Sequence, residues 1–330
     1  MSRALDPAIK AAIQNGDHTE TFRQISSVLA QCYDSMSDIE LLGPEVMMML
    51  PDPKCYFFQD GNTLLFPKLR VVQAFTVARR ILFRYRDDNS SVSQEDLWAA
   101  TSVILITDAE HLTAANTRKR LIIATDYDLD SIRKELSFID SLLKSDLHRH
   151  NKSPTLWKHR HWLMSQRLNR YDQGKLLSKR EYDHIPTEEL LERHFKSVIF
   201  VSGERHPKNY YAWAHARELL LMASESGRRA LLPATRDWCW AHRGDISGWS
   251  FLVALPASEE EHKAVLAETM KYAKMFRYDN ESVWWYFAVM ASTPEELADL
   301  TALREKLLPD VDEKDRVHLD RALKWLQPAW

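Results

Sequence analysis

The chain has 330 residues, enough for about two ordinary domains and for burying most of its apolar surface. Its net charge of -3 excludes a polyanion binder acting through overall charge, leaving only local patches. Eight glycines and little strand-like alternation point to an all-helical protein. Cys32, Cys55 and Cys239 are odd in number and scattered, with no CxxC spacing, so neither a zinc knuckle nor a redox pair is expected. The opening MSRALDPAIK has no apolar h-region, and the apolar run around Val103 to Ile106 is far too short to span a membrane; a cytoplasmic protein is the expectation.

In chain order, residues 1–66 read as a loop-rich N-terminal cap. Asp6-Pro7 can open a short helix and Thr21 to Tyr33 can form another. Gly43 to Gly61 holds three prolines and ends on a turn signal, Asp60-Gly61-Asn62. From residue 67 to 330 the helical period dominates, as one continuous domain. Leu69, Val72, Phe75, Val77 and Leu82 favour one side of the first helix, with Arg79, Arg80 and Arg84 elsewhere. Ser93 with Asp96 resembles a capping box for a helix through Ile106. Asp172 to Asp183 is a polar insert, Thr187 caps the helix after it, and a last helix from Asp312 to Leu326 closes the stack.

The organising feature is a recurring helix start. In HNKSPTLWKHRHW (His150 to Trp162), Ser153 suits the N-cap, Pro154 the first helical position, and Trp157 and Arg160 follow. Related phrases are LTAANTRKR (Leu112 to Arg120), PKNYYAWAHAR (Pro207 to Arg217), GDISGWSFL (Gly244 to Leu252) and NESVWWYFA (Asn280 to Ala288). The aligned positions Ala115, Trp157, Trp213, Trp249 and Trp284 are separated by 42, 56, 36 and 35 residues. A pitch in the mid-thirties is what one helix–turn–helix unit requires. The tryptophans are therefore expected to be core staples between neighbouring hairpins.

These phrases resemble the repeats of protein prenyltransferase alpha subunits, whose pattern is Asn-Tyr-x-x-Trp-x-x-Arg, often with His before the Arg. Pro207 to His215 matches its first half and Ser153 to Arg160 its second; Glu281 to Trp284 and Ser247 to Leu252 resemble the later repeats. The match covers roughly residues 100–290. TAANTRK and KSPTLWKHR are nearest to the alpha-subunit-repeat-containing branch associated with a third type of geranylgeranyltransferase. The resemblance implies an all-α, right-handed superhelix of antiparallel helical hairpins, TPR-like, with about five repeats. The chain departs from the pattern at Ala115, which stands where the family has Trp. The repeat Arg is kept as Arg118 and Arg160 but replaced by Ala216, Leu252 and Phe287. Arg217 is one residue late, about 100° around the helix, and cannot simply substitute.

The family's reaction transfers an isoprenoid from its diphosphate to a cysteine near a protein's C-terminus. The resemblance implies that this chain is the alpha-type subunit of a heterodimer, inactive alone and of geranylgeranyl rather than farnesyl type. It carries no cofactor itself: a beta subunit would hold zinc, the lipid pocket and most catalytic groups. Lys152, five residues before Trp157, stands at the position of the family's diphosphate-facing Lys, and a fixed cation there stabilises charge growing on the leaving group. Tyr210 and Tyr211 match a Tyr-His pair at the diphosphate; Tyr211 replaces the His and cannot carry its charge. Lys208 can add charge beside them. The catalytic expectation rests on Lys152 and Tyr210, the diphosphate-binding one on Lys152, Lys208, Tyr210 and Tyr211.

The basic stretch His148 to Arg170 lacks interleaved stacking aromatics, so nucleic acid is not expected as a partner. His159 and His161 point about 200° apart on a helix, which argues against a metal site. The rival reading is a non-catalytic helical-repeat adaptor that retains the fold. The lost arginines and Ala115 favour it; Lys152 and NYYAW favour the enzyme.

Overall fold

A computed structural model describes residues 13, 16–47, 55–172, 187–311, 316–317 and 319–321. The Asp6-Pro7 helix start, most of the polar insert and most of the expected final helix lie outside these residues. The chain divides into two compact units, Met1–Asp183 and His184–Trp330.

In the first unit, α1 (Thr19–Leu29) buries Phe22, Ile25, Val28 and Leu29 along one stripe and runs into a 3-10 turn, Ala30–Tyr33. A three-stranded sheet follows, where the sequence suggested loops: β1 (Asp38–Leu42), β2 (Phe58–Asp60) and β3 (Thr63–Pro67), in the order β1-β3-β2. β1 pairs with β3 in parallel, and β2 and β3 form an antiparallel hairpin across Gly61 and Asn62. Gly61 takes a φ of 55°, which a glycine adopts without strain. The Asp-Gly-Asn turn signal marks this hairpin, but strands of 3 and 5 residues are too short to display period-two alternation.

α2 (Lys68–Asp87) packs against α1 and α3 (Gln94–Thr107). Its buried face is Val71, Ala74, Ala78, Ile81 and Leu82. This corrects the expected stripe, because Leu69 is 50% exposed and shares the outer side with Arg79 and Arg80. Small alanines let α2 approach its neighbours closely, and apolar counting overlooks them. The first repeat hairpin is α4 (Leu112–Ala124) with α5 (Leu129–Leu143), and α6 (Pro154–Asp172) packs on both.

Between these helices lies a buried ionic network. Arg118 on α4 is wholly buried. Its Nε donates to Glu135 Oε1 on α5 at 2.8 Å and Nη2 to Oε2 at 2.5 Å. Nη1 donates to the hydroxyls of Thr101 and Ser102 on α3 at 2.9 and 3.0 Å. The guanidinium also stacks on Trp98 and Phe138, 4.5 and 4.4 Å from the ring centroids. His159 Nε2 on α6 lies 2.8 Å from Glu135 Oε1, and Arg160 Nε donates to Asp140 Oδ1 at 2.7 Å. The two repeat arginines thus tie successive helices to the acids of one return helix. A buried Arg requires such an acid. At Ala216, Leu252 and Phe287, all fully buried, apolar side chains remove that requirement.

Burial alone would raise the Glu135 carboxyl, but the Arg118 charge and the hydrogen bonds from His159 and Arg118 more than offset it and hold it at about 2. Burial pushes His159 and His150 below the ordinary histidine range, although Glu135 and the Leu105 carbonyl partly oppose it. Each imidazole is neutral when folded and gains a proton on unfolding once the pH falls below about 6.5. Stability is therefore expected to be full above that pH and to decline as the pH drops through the lowered folded values. The Glu135 contribution is lost only between about 4.5 and about 2. Denaturant midpoints at pH 7.5 and 5.5 check this, and equal midpoints would contradict it.

In the second unit, α7 (Thr187–His194) continues through a π-turn, Phe195–Ile199, into α8 (Phe200–Arg205). Then come α9 (Tyr210–Met222), α10 (Glu225–Ala241), α11 (Ile246–Leu252), α12 (Glu259–Phe276), α13 (Glu281–Met290) and α14 (Pro294–Leu307). Each hairpin packs on the next through α9–α11–α13 on one side and α10–α12–α14 on the other. Side-chain caps start these helices at Asn209, Ser224, Asp245 and Ser258, and Thr293 with Glu296 forms a full capping box. The fold is all-α apart from the small sheet, and the helical-repeat expectation holds.

The four repeat tryptophans are buried staples. Three also close a ring with their own chain: the indole N–H of Trp157, Trp249 and Trp284 donates to the carbonyl six residues earlier, at 2.8, 3.1 and 2.9 Å. This pins the loop before each helix to the helix itself. Trp213 differs, because its Nε1 is buried without a hydrogen-bond partner among the described residues. Its ring packs on Trp238, with centroids 4.9 Å apart, and both rings crowd Gly248. A methyl group at Gly248 would lie 2.5 Å from Trp238, so only glycine admits this approach.

Candidate functional site

The sequence-derived residues fall in both units. Lys152 is in the first, directly after the helical turn His148–Asn151 and one residue before the α6 cap. His150 holds this turn, its Nε2 lying 3.0 Å from the Leu105 carbonyl. The Ser153 hydroxyl accepts from Leu156 N at 3.0 Å, as the cap assignment requires. Lys152 is half-buried, and its ammonium has no hydrogen-bond or ion-pair partner among the described residues.

The start of α6 is not empty of charge, however. The Glu110 carboxylate contacts the Ser153 hydroxyl and accepts from Thr155 Oγ1 at 2.6 Å. An acid from the loop before α4 thus already occupies the anion-favouring end of α6. Nothing in the repeat phrase signals this, because Glu110 lies more than 40 residues upstream of Ser153.

The other three residues sit at the start of α9 in the second unit. Lys208 is exposed, in a left-handed conformation with φ 60°, and its backbone N–H donates to Asp245 Oδ2 at 2.6 Å. Asp245 Oδ1 accepts from Ser247 N and Gly248 N, both at 3.0 Å, so one buried carboxylate fixes the entries to α9 and α11 together. Tyr210 is 68% and Tyr211 38% exposed, and their rings meet edge to face at 5.6 Å. They are surface aromatics, unlike the tryptophan beside them.

Tyr210, Ala214 and Arg217 form one stripe of α9 at i, i+4 and i+7, and with Ile246, Ser247 and Ser250 they line an open groove of about 520 Å³. Arg217 Nη2 donates to Ser250 Oγ at 2.8 Å and Nη1 to the Trp213 carbonyl at 3.2 Å. Arg217 therefore does not replace a repeat arginine, as its one-residue offset implied. It supplies a cation on the Tyr210 side of the helix instead. Burial lowers its guanidinium from the usual value, and the neighbouring Tyr210 partly opposes this. A phenol, two serine hydroxyls and a guanidinium form a set of donors suited to an anionic or strongly polar group. Repeat alignment registers Arg217 only as displaced and gives Ser247 and Ser250 no role, although i, i+7 spacing from Tyr210 places the arginine on the same side of the helix.

Stacked hairpins, opened by helix starts with a buried Trp four residues beyond the cap, define a helical-repeat protein whose repeats are similar to those of prenyltransferase alpha subunits. Comparison with known proteins agrees. Protein prenyltransferase alpha subunit repeat-containing protein 1 of Homo sapiens is 30% identical over 176 residues, covering 52% of this chain and 42% of that protein. Its namesake in Danio rerio is 28% identical over 176 residues, 52% of this chain and 40% of that protein. Protein ECM9 of Saccharomyces cerevisiae is 27% identical over 206 residues, 61% of this chain and 50% of that protein. The ECM9 middle domain matches residues 162–278. The chain spans half or less of the length of these curated relatives. No helix among the described residues is long and apolar enough to cross a membrane.

Proposed function

We propose that the chain acts as the alpha-type subunit of a two-chain protein prenyltransferase, of geranylgeranyl rather than farnesyl type. The observation that carries this reading is the Lys152 ammonium, half-buried directly before the capped start of a repeat helix and without a hydrogen-bond or ion-pair partner among the described residues. A cation that meets no carboxylate among the described residues can face a departing diphosphate, where negative charge grows as the carbon–oxygen bond breaks. Tyr210, exposed and beside Arg217 in the second unit, is assigned by its place in the repeat as a hydrogen-bond donor to a diphosphate oxygen. Lys208 and Tyr211 have supporting roles at the rim.

Zinc, which would make the acceptor cysteine a thiolate, belongs with the partner beta chain in this reading. Burial raises the thiols of Cys32 and Cys239 in this chain, the opposite of what a thiolate ligand requires. The acceptor is a protein with a cysteine near its C-terminus, and the cytoplasm is the assigned compartment. The N-terminal cap, residues 1–66, is assigned a packing role on the array.

In a complex with a prenyltransferase beta subunit, Lys152→Ala is expected to lower kcat by about ten- to a thousandfold, with the complex intact. Steady-state transfer to a cysteine-terminated protein measures this. An unchanged kcat removes Lys152 from the reaction. Glu110 favours a second reading, a scaffold without transferase activity, because its carboxylate already satisfies the start of α6. That reading predicts a stable partner complex with no transfer at all.

A further inference from the structure

α2 buries one side against α1 and α3 and leaves the other bare of protein among the described residues. Leu69, Thr76, Arg80 and Phe83 follow one another along this outer side at i, i+7, i+11 and i+14. Phe83 is 40% exposed, and the guanidinium groups of Arg79 and Arg86 both lie over its ring at 4.9 Å, one from the turn before and one from the turn after. Arg86 also pairs with Asp87. Arg79 and Arg84 meet no carboxylate among the described residues, and Asp17, held low chiefly by its hydrogen bonds from Thr19, feels Arg80 only from beyond ion-pair distance. Phe75, Thr76, Arg79, Arg80 and Phe83 enclose a shallow groove of about 230 Å³.

We infer that this side of α2 binds an acidic amphipathic helix of a partner protein. An apolar side chain of that helix enters the groove between Phe75 and Phe83, and its flanking carboxylates pair with Arg79, Arg80 and Arg84. Charge complementarity carries the assignment: guanidinium groups that pair with no carboxylate among the described residues are gathered on one helix of a chain whose net charge is -3. Stacking on Phe83 fixes the planes of Arg79 and Arg86, so less freedom is lost when Arg79 takes a carboxylate. The same stacking disfavours nucleic acid, because the ring face a base would use is already engaged by the chain's own cations. A membrane surface fits less well, since Leu69 and Phe83 are the only large apolar side chains strongly exposed on this helix.

The test uses the full chain and fluorescence anisotropy. The probe is a short labelled helical peptide with one Leu face flanked by Glu, compared with its Gln counterpart, a single-stranded RNA and phosphatidylserine vesicles. The Glu peptide is expected to bind, and the Gln peptide to bind at least about tenfold more weakly. Arg79→Glu with Arg80→Glu is expected to weaken the Glu peptide by a similar factor, whereas Lys271→Glu, a charge change elsewhere, leaves it unchanged. Absence of binding, indifference to the arginine changes, or tighter binding of RNA or vesicles through the same arginines overturns the inference. All three substituted side chains are exposed, so their effects read on binding rather than folding.

Discussion

Arg118→Ala is expected to cost the first unit about 3–5 kcal/mol, the range for removing one partner of a buried ion pair. The loss arises less from the missing attraction than from what remains. Glu135 stays wholly buried with only His159 beside it, and the Thr101 and Ser102 hydroxyls lose their donor on α3. Three helices meet through this one guanidinium, so the change loosens their packing together. The double replacement Arg118→Met with Glu135→Leu removes both charges and is expected to cost clearly less than the sum of the single changes. Denaturant titration of the four proteins yields this coupling. A loss below about 1 kcal/mol for Arg118→Ala contradicts the network.

Trp284→Ala is expected to destabilise the second unit by about 3–5 kcal/mol, the cost of emptying a buried aromatic site. The sharper test is Trp→Phe, which keeps most of the ring and deletes the indole N–H. At Trp284 this takes the indole donor from the Tyr278 carbonyl, whereas at Trp213 the N–H has no partner among the described residues to lose. Trp284→Phe is therefore expected to cost about 1–2 kcal/mol more than Trp213→Phe. Equal costs would mean that closing the loop onto the indole contributes nothing and that packing alone explains the repeat tryptophans.

Much of the fold could be read from the sequence because its signals are local. The caps at Ser93, Ser153, Asn209, Ser258 and Thr293 each require only a side chain and a backbone N–H two or three residues on. Tryptophan spacing located the repeat helices for the same reason. The small sheet escaped notice because β1 reaches β3 across 25 residues of sequence and neither strand is long enough to show its period. The packed side of α2 is hard to read from apolar spacing because Ala74 and Ala78 contribute to it while Leu69 points outward.

The candidate site divides along the same line. Position in the repeat led to Lys152 and Tyr210, and the structure finds both outside the packed core, as a contact with a ligand requires. Glu110, by contrast, reaches α6 from a distant loop, and Ser250 reaches Arg217 from a separate helix. Such partners are fixed by tertiary packing and carry no local pattern. Arg118 is intermediate. Its burial could be anticipated from the repeat, but its acid, Glu135, emerges only when α5 is laid beside α4.

In the proposed function this chain needs a second, beta-type chain to perform prenyl transfer. The direct measurement is to co-express it with a protein prenyltransferase beta subunit and isolate the pair. Transfer of isoprenoid from its diphosphate to a cysteine-terminated protein is then followed for the pair and for each chain alone. A stable one-to-one complex that transfers the lipid, with neither chain active by itself, is the predicted result. Failure to form a complex with any such subunit, or a complex that transfers nothing, contradicts the claim.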